Sequence, residues 1–185
     1  MRLAKDELLN AEQIKNLLIS LGKELELHGY SGEVYLVGGA AIALAYDGRR
    51  TTTDLDAIFE PKSVIYEAAA RVATRYDLGP GWLNDAVKEL VPPNDPHSVI
   101  ALEAPGITVS AASARNLLAM KVAASRVDRD QDDILFLAGI LGLTTSEEVL
   151  AVVEDVWGTA ASRLAPKCRF LVQEMFPSSA PMDGV

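Results

Sequence analysis

Apolar positions near the start of the chain, Leu8, Leu9, Ile14, Leu17, Leu18, Leu21 and Leu25, recur at helical spacing and stop at Gly29. The pattern predicts an amphipathic helix over roughly the first thirty residues. The next apolar run, Glu33 to Val37 (EVYLV), is short, β-branched and aromatic between Gly32 and Gly38, and it reads as a buried strand. Ala40 to Tyr46 has helix-forming composition up to Asp47-Gly48, and Leu55 to Phe59 (LDAIF) is a second strand closed by Pro61. Lys62 to Tyr76 is alanine-rich at helical spacing, Trp82 to Leu90 (WLNDAVKEL) has the composition of a short helix, and VPPNDP from Val91 is a loop. Ser98 to Leu102 and Ile107 to Val109 are strands on either side of Ala104-Pro105-Gly106, as a hairpin or as two sheet-edge pieces. Beyond Ser113 every apolar segment is helical, with a helix start at Thr145-Ser146-Glu147-Glu148, and the final PSSAPMDGV reads as a frayed tail.

This order of one helix, then mixed strands and helices, then helices alone predicts an α+β fold: a small mixed-sheet core flanked by helices and followed by a C-terminal helical region. The expected division is an α/β core with its N-terminal helix at 1–112 and a helical region at 113–185 that completes a cleft. With 185 residues, 49% of them hydrophobic, the chain has enough apolar surface for such a core without staples. Cys168 is the one cysteine, which excludes an intramolecular disulfide and a cysteine-based zinc site and fits a cytoplasmic protein. Charges interrupt the apolar positions of the N-terminus, so it reads as a mature soluble terminus with no membrane partner.

A formal charge of −9 argues against coating nucleic acid or an anionic membrane through a general basic surface. Two regions are locally basic: Arg49-Arg50, and the set Arg115, Lys121, Arg126 and Arg129 interleaved with Asp128, Asp130, Asp132 and Asp133. Mixed charge of the second kind also describes a solvated helix face.

The stretch VGGAAIALAYDGRRTTTDLDAIF (37–59) carries the chemistry. Side chains on a strand alternate between faces, so Asp54 and Asp56 share one face and repel each other unless a cation lies between them. Oxygen ligands favour magnesium or manganese over zinc. The alternative is that one aspartate caps a turn after Thr51-Thr52-Thr53 while the other lies at a solvent edge. Gly38-Gly39, between a strand and a helix, supplies bare backbone N–H groups able to cradle phosphate oxygens. Neither a P-loop nor a dinucleotide fingerprint is present. A phosphate turn beside a two-carboxylate pair suits a nucleoside triphosphate bound as its magnesium complex.

In this order, Gly38-Gly39, a helix and then Asp54-Leu55-Asp56 resemble the signature of the DNA polymerase beta-like nucleotidyltransferase superfamily. Together with LLAMKVAASRVDRDQDDI, the chain is most similar to bacterial nucleotidyltransferases related to abortive-infection toxins of type IV toxin–antitoxin systems. In that group a lysine is followed by an R-x-x-x-D-x-x-D pattern, matched here by Lys121, Arg126, Asp130 and Asp133. The resemblance covers about Val34 to Leu137.

It implies transfer of a nucleoside monophosphate from a triphosphate to a hydroxyl on an RNA end such as tRNA, or on a protein, with a cognate antitoxin as partner. Asp54 and Asp56 would hold Mg2+ or Mn2+, Gly38 and Gly39 would position phosphates, and Lys121 with Arg49 or Arg50 would face the triphosphate. The superfamily commonly has a third carboxylate on a following strand, and Glu103 is the acidic residue there. On a continuous helix Arg126, Asp130 and Asp133 would share one face, either contacting nucleotide or forming an intrahelical Arg126–Asp130 pair. A non-catalytic nucleotide- or partner-binding module on the same fold, and nucleotidyl transfer to a small molecule, are the competing functions.

Overall fold

In the computed structural model the described residues are 8–124, 127–158 and 165–178. The chain divides into two compact units, Met1–Glu89 with His97–Ala112, and Leu90–Pro96 with Ser113–Val185.

In the first unit, helix α1 (Ala11–Leu27) begins at a capping box. The Asn10 side chain accepts the Gln13 N–H at 3.0 Å, and the Gln13 side chain accepts the Asn10 N–H at 2.9 Å. This cap corrects the sequence expectation at its N-terminal edge. Leu9 is not helical; Leu9–Asn10 forms a short strand, β1, antiparallel to β3 (Thr51–Thr52). The apolar stripe of α1, from Ile14 through Leu17, Leu18 and Leu21 to Leu25, is fully buried.

Five further strands form a mixed sheet: β2 (Gly32–Leu36), β4 (Leu55–Glu60), β5 (Leu83–Asn84), β6 (Val99–Ala104) and β7 (Ile107–Ala111). Their spatial order is β5-β4-β2-β7-β6. β2 runs parallel to β7 and antiparallel to β4, β5 is parallel to β4, and β6 closes a hairpin on β7. Strand alternation sends Val34, Leu36, Leu55, Ala57, Phe59, Ile107 and Val109 into the core. There they meet α1, α2 (Gly38–Ala45) and α3 (Lys62–Tyr76). The opposite face carries Tyr35, Asp56, Ile58, Thr108 and Ser110, all at least partly exposed.

The segment expected to be a short helix from Trp82 instead enters the sheet. The Leu55 N–H donates to the Trp82 carbonyl at 2.7 Å, and the Trp82 indole donates to the Ala69 carbonyl at 3.0 Å. These bonds hold the segment between β4 and α3, and they make Trp82 a buried core residue rather than a platform for a base. Glu24 on α1 is buried and receives Arg71 at 3.1 Å and Arg75, both from α3. Burial pushes its carboxyl up, but hydrogen bonds and attraction from the two guanidinium groups outweigh this and hold its pKa below the usual carboxylate range.

The second unit is helical: α4 (Ala114–Ala124), α5 (Val127–Leu141), α6 (Ser146–Trp157) and α7 (Pro166–Met175). The start of α4 is tied to the loop from Leu90. Asp95 accepts the Ser113 N–H at 2.7 Å, Ser113 Oγ accepts the Asn116 N–H at 3.2 Å, and the Asn116 amide donates to the Asn94 carbonyl at 3.1 Å. Thr145 and Glu148 form the capping box that the sequence indicates at α6. Trp157 at the end of α6 donates its indole N–H to the Ala119 carbonyl on α4 at 3.2 Å. Among the described residues no single helix is long and apolar enough to cross a membrane.

α1 lies against the β6–β7 turn, where Gly106 has φ of 75° and its bare α-carbon faces the Gly22 carbonyl. A Cβ on Gly22 would lie 2.5 Å from the Pro105 carbonyl oxygen and 2.5 Å from Ile107 Cγ2. Glycine to alanine inside a helix ordinarily stabilises by up to about 1 kcal/mol. Here the sign reverses, because one contact is rigid backbone: Gly22→Ala is expected to destabilise by about 1–3 kcal/mol in urea unfolding.

Candidate functional site

The turn between β2 and α2 and the start of β4 form one local structure. The Val37 N–H donates to the Asp56 carbonyl at 2.9 Å, which brings the turn against β4. Gly38 then adopts φ of 60°, a left-handed conformation that a side chain disfavours. A Cβ there would also lie 3.3 Å from Asp56 Oδ2. Val37, at the N-cap of α2, makes no side-chain cap, so the first backbone N–H groups of that helix have no capping oxygen from it. Gly39 is equally close to its neighbour, since a Cβ there would be 3.1 Å from Thr52 Oγ1.

Thr52 continues the connection by donating its hydroxyl to the Asp54 carbonyl at 3.0 Å. The Asp54 carboxylate is held at both oxygens: Thr53 donates to Oδ1 at 3.2 Å and the Asn84 amide donates to Oδ2 at 3.3 Å. Asp56 is the register partner of Asn84 across β4 and β5. Gly38, Gly39, Thr52, Thr53, Asp54, Asp56 and Asn84 therefore cluster at one end of the sheet. Two partly exposed carboxylates beside a bare glycine turn are a donor set that fits a hard divalent cation such as magnesium or manganese. One pleat beyond Asp56, a groove of about 360 Å³ opens on the same face, lined by Tyr35, Ile58, Ile100, Thr108 and Ser110 among others.

Glu103 does not join this cluster. It pairs with Thr108, which pairs with Glu33, which pairs with Glu60. Three strand spacings, about 14 Å, and four residues of strand, about 13 Å, therefore separate it from Asp56. Among the described residues no group of three histidine, cysteine or acidic side chains is placed to share a metal ion. Arg49 and Arg50 lie at the turn after α2, the opposite end of that helix from Gly38. There Asp47 accepts Arg49 Nε at 3.0 Å and lies 3.9 Å from Arg50 Nε. The hydrogen bonds and charge of Arg49 hold the Asp47 carboxyl below its ordinary pKa.

In the second unit the motif lysine and aspartates meet across two helices rather than along one. Lys121 lies on α4 (Ala114–Ala124) and both aspartates on α5 (Val127–Leu141); the expected Arg126 contacts lie outside the described residues. Lys121 Nζ donates to Asp130 Oδ1 at 2.7 Å and lies 2.8 Å from Asp133 Oδ2. Asp130 is buried and Lys121 mostly so. Burial pulls the ammonium pKa down, but hydrogen bonds and attraction from Asp130 and Asp133 more than offset it and leave the value raised.

The sequence pattern did not single out Asn84, Thr52 or Thr53 as site residues. The threonines precede Asp54 directly and were visible as turn formers. Nothing near Asn84 in the sequence marks it, because its role comes from a strand register.

A family model described as "Nucleotidyltransferase of unknown function (DUF6036)" matches residues 16–151, a span that includes the glycine turn, Asp54-Leu55-Asp56 and the Lys121 triad. A crystal structure of an antigenic nucleotidyltransferase-like protein from Paracoccidioides brasiliensis is similar at 13% sequence identity and a TM-score of 0.45, covering 96% of this chain and 100% of that one. No curated protein matches the sequence.

Removing Lys121 leaves two carboxylates facing each other with the ammonium gone. Lys121→Met is expected to cost about 2–4 kcal/mol in chemical denaturation, and adding Asp130→Asn should recover part of the loss in a double-mutant cycle. Because its pKa is raised on folding, the stability Lys121 contributes is complete below its ordinary value of 10.5 and lost as pH rises through the folded value. The stability gap between native chain and Lys121→Met should therefore narrow only in strongly alkaline solution.

Proposed function

Because the chain belongs to the DUF6036 family of nucleotidyltransferases, we propose that it moves a nucleoside monophosphate from a nucleoside triphosphate to a hydroxyl acceptor in a metal-dependent reaction. The observation that carries this reading is the contact of the Gly38 turn with Asp56 beside Asp54, which joins a phosphate cradle to a carboxylate pair. Asp54 and Asp56 would hold Mg2+ or Mn2+ through their oxygens, and such an ion would supply neutralisation of triphosphate charge and a lowered pKa of the acceptor hydroxyl. The N–H groups at Gly38 and Gly39, at the positive end of α2, orient the phosphate oxygens.

The acceptor oxygen forms a bond to the α-phosphorus and loses its proton to water. The bond to the bridging oxygen breaks, and pyrophosphate leaves with that electron pair. Chemistry of this kind depends on positioning and on charge neutralisation, which are what fixed carboxylates and backbone donors supply. The groove beyond Asp56 gives an acceptor room on the same face. For Lys121, Asp130 and Asp133, the resemblance to abortive-infection toxins supports a part in the same reaction. It also supports a biological role as the cytoplasmic toxin of a toxin–antitoxin pair, acting on a tRNA end or a protein hydroxyl.

One observation favours a non-catalytic nucleotide- or partner-binding module instead: no third carboxylate accompanies Asp54 and Asp56 among the described residues. Incubation with Mg2+ and each labelled triphosphate, with and without total tRNA, separates the two. Label transfer that falls at least about a hundredfold in Asp54→Ala and in Asp56→Ala supports the enzyme. Nucleotide binding without transfer under every metal supports the module, and neither binding nor transfer contradicts both.

A further inference from the structure

Asn84 lies beside both aspartates of the site: it donates to Asp54 and is the register partner of Asp56. Its strand is fastened on both sides. Before it, Trp82 is bonded to Leu55 and Ala69. After it, Asp85 accepts the Tyr66 hydroxyl at 2.5 Å and pairs with Lys62, both on α3. The amide itself is oriented by an Asx turn, because Asn84 Oδ1 accepts the Ala86 N–H at 3.1 Å. With its oxygen so engaged, its NH2 group faces outward and donates to Asp54 Oδ2 at 3.3 Å and to the Gly81 carbonyl at 3.5 Å.

Asp54 therefore receives one neutral donor on each oxygen, Thr53 on Oδ1 and Asn84 on Oδ2. A carboxylate oxygen has two lone-pair positions, so each still has one to offer a cation. We propose that Asn84 is a positioning residue that stands in for the third carboxylate. It fixes Asp54 for binding one divalent ion per chain before nucleotide arrives, without adding a charge of its own. This rests on the metal-dependent reading above.

The test is titration of the full chain with Mn2+ in the absence of nucleotide, followed by electron paramagnetic resonance, which counts bound ions and reports their affinity separately from turnover. The native chain should bind one ion. Asn84→Ala should weaken that binding by about tenfold or more, the usual effect of losing a partner that orients a ligand. Asn84→Asp retains an oxygen for the Ala86 N–H but replaces the amide donor by a third carboxylate, and it should bind Mn2+ more tightly than the native chain. Circular dichroism confirms that each variant is folded. If the native chain binds one ion but both variants match it, Asn84 only forms its turn and the proposal fails while the metal reading stands. If the native chain binds no ion, the metal reading fails first and takes this proposal with it.

Discussion

Gly38 rests its bare α-carbon against the carboxylate of Asp56, and the rest of the candidate site depends on that contact. A side chain at Gly38 would be strained by the backbone conformation and would push on the aspartate it faces. The glycine turn and the aspartate strand are close because the Val37 N–H bonds the Asp56 carbonyl, extending the β2–β4 ladder into the turn. The helix after the turn then starts at the carboxylates, and the chain returns from its far end through Thr51–Thr52, held by β1. Thr52 passes beside Gly39 and bonds the Asp54 backbone. One short segment thus contains both glycines and both aspartates because the fold closes that segment on itself.

Asp54 meets different partners from Asp130 and Asp133. In the helical unit, Asp130 and Asp133 receive a cation from the chain itself, since Lys121 reaches both. That pairing links α4 to α5 and specifies how the two helices meet. In the sheet unit, the side chains that donate to Asp54 are a hydroxyl and an amide, both neutral. Neutral donors fix the direction of a carboxylate without cancelling its charge, an arrangement suited to a charge supplied from solution.

Much of the architecture was legible because it follows from periodicity. The stripe of α1, the paired strands β2 and β4, the hairpin around Gly106 and the Thr145 cap each arise from residues close in sequence. What failed depended on distant partners. WLNDAVKEL has helical composition, and only bonds from Leu55 and Ala69 make its first residues extended. Glu103 lies in a strand, as expected, but strand order carries it three strands away from Asp56. Lys121 reaches Asp130 and Asp133 on the following helix, a pairing across nine and twelve residues that spacing within one helix does not announce. Asn84 was invisible for the same reason, because a cross-strand register assigns its neighbours.

The most direct test of the central claim, that the Gly38 turn and the two aspartates act as one triphosphate–metal device, is a crystal soaked with Mn2+ and a non-hydrolysable nucleoside triphosphate. The expected result is an anomalous manganese peak touching both Asp54 and Asp56, with phosphate oxygens at the Gly38 and Gly39 N–H groups. Manganese bound elsewhere, or triphosphate density away from that turn, would contradict it.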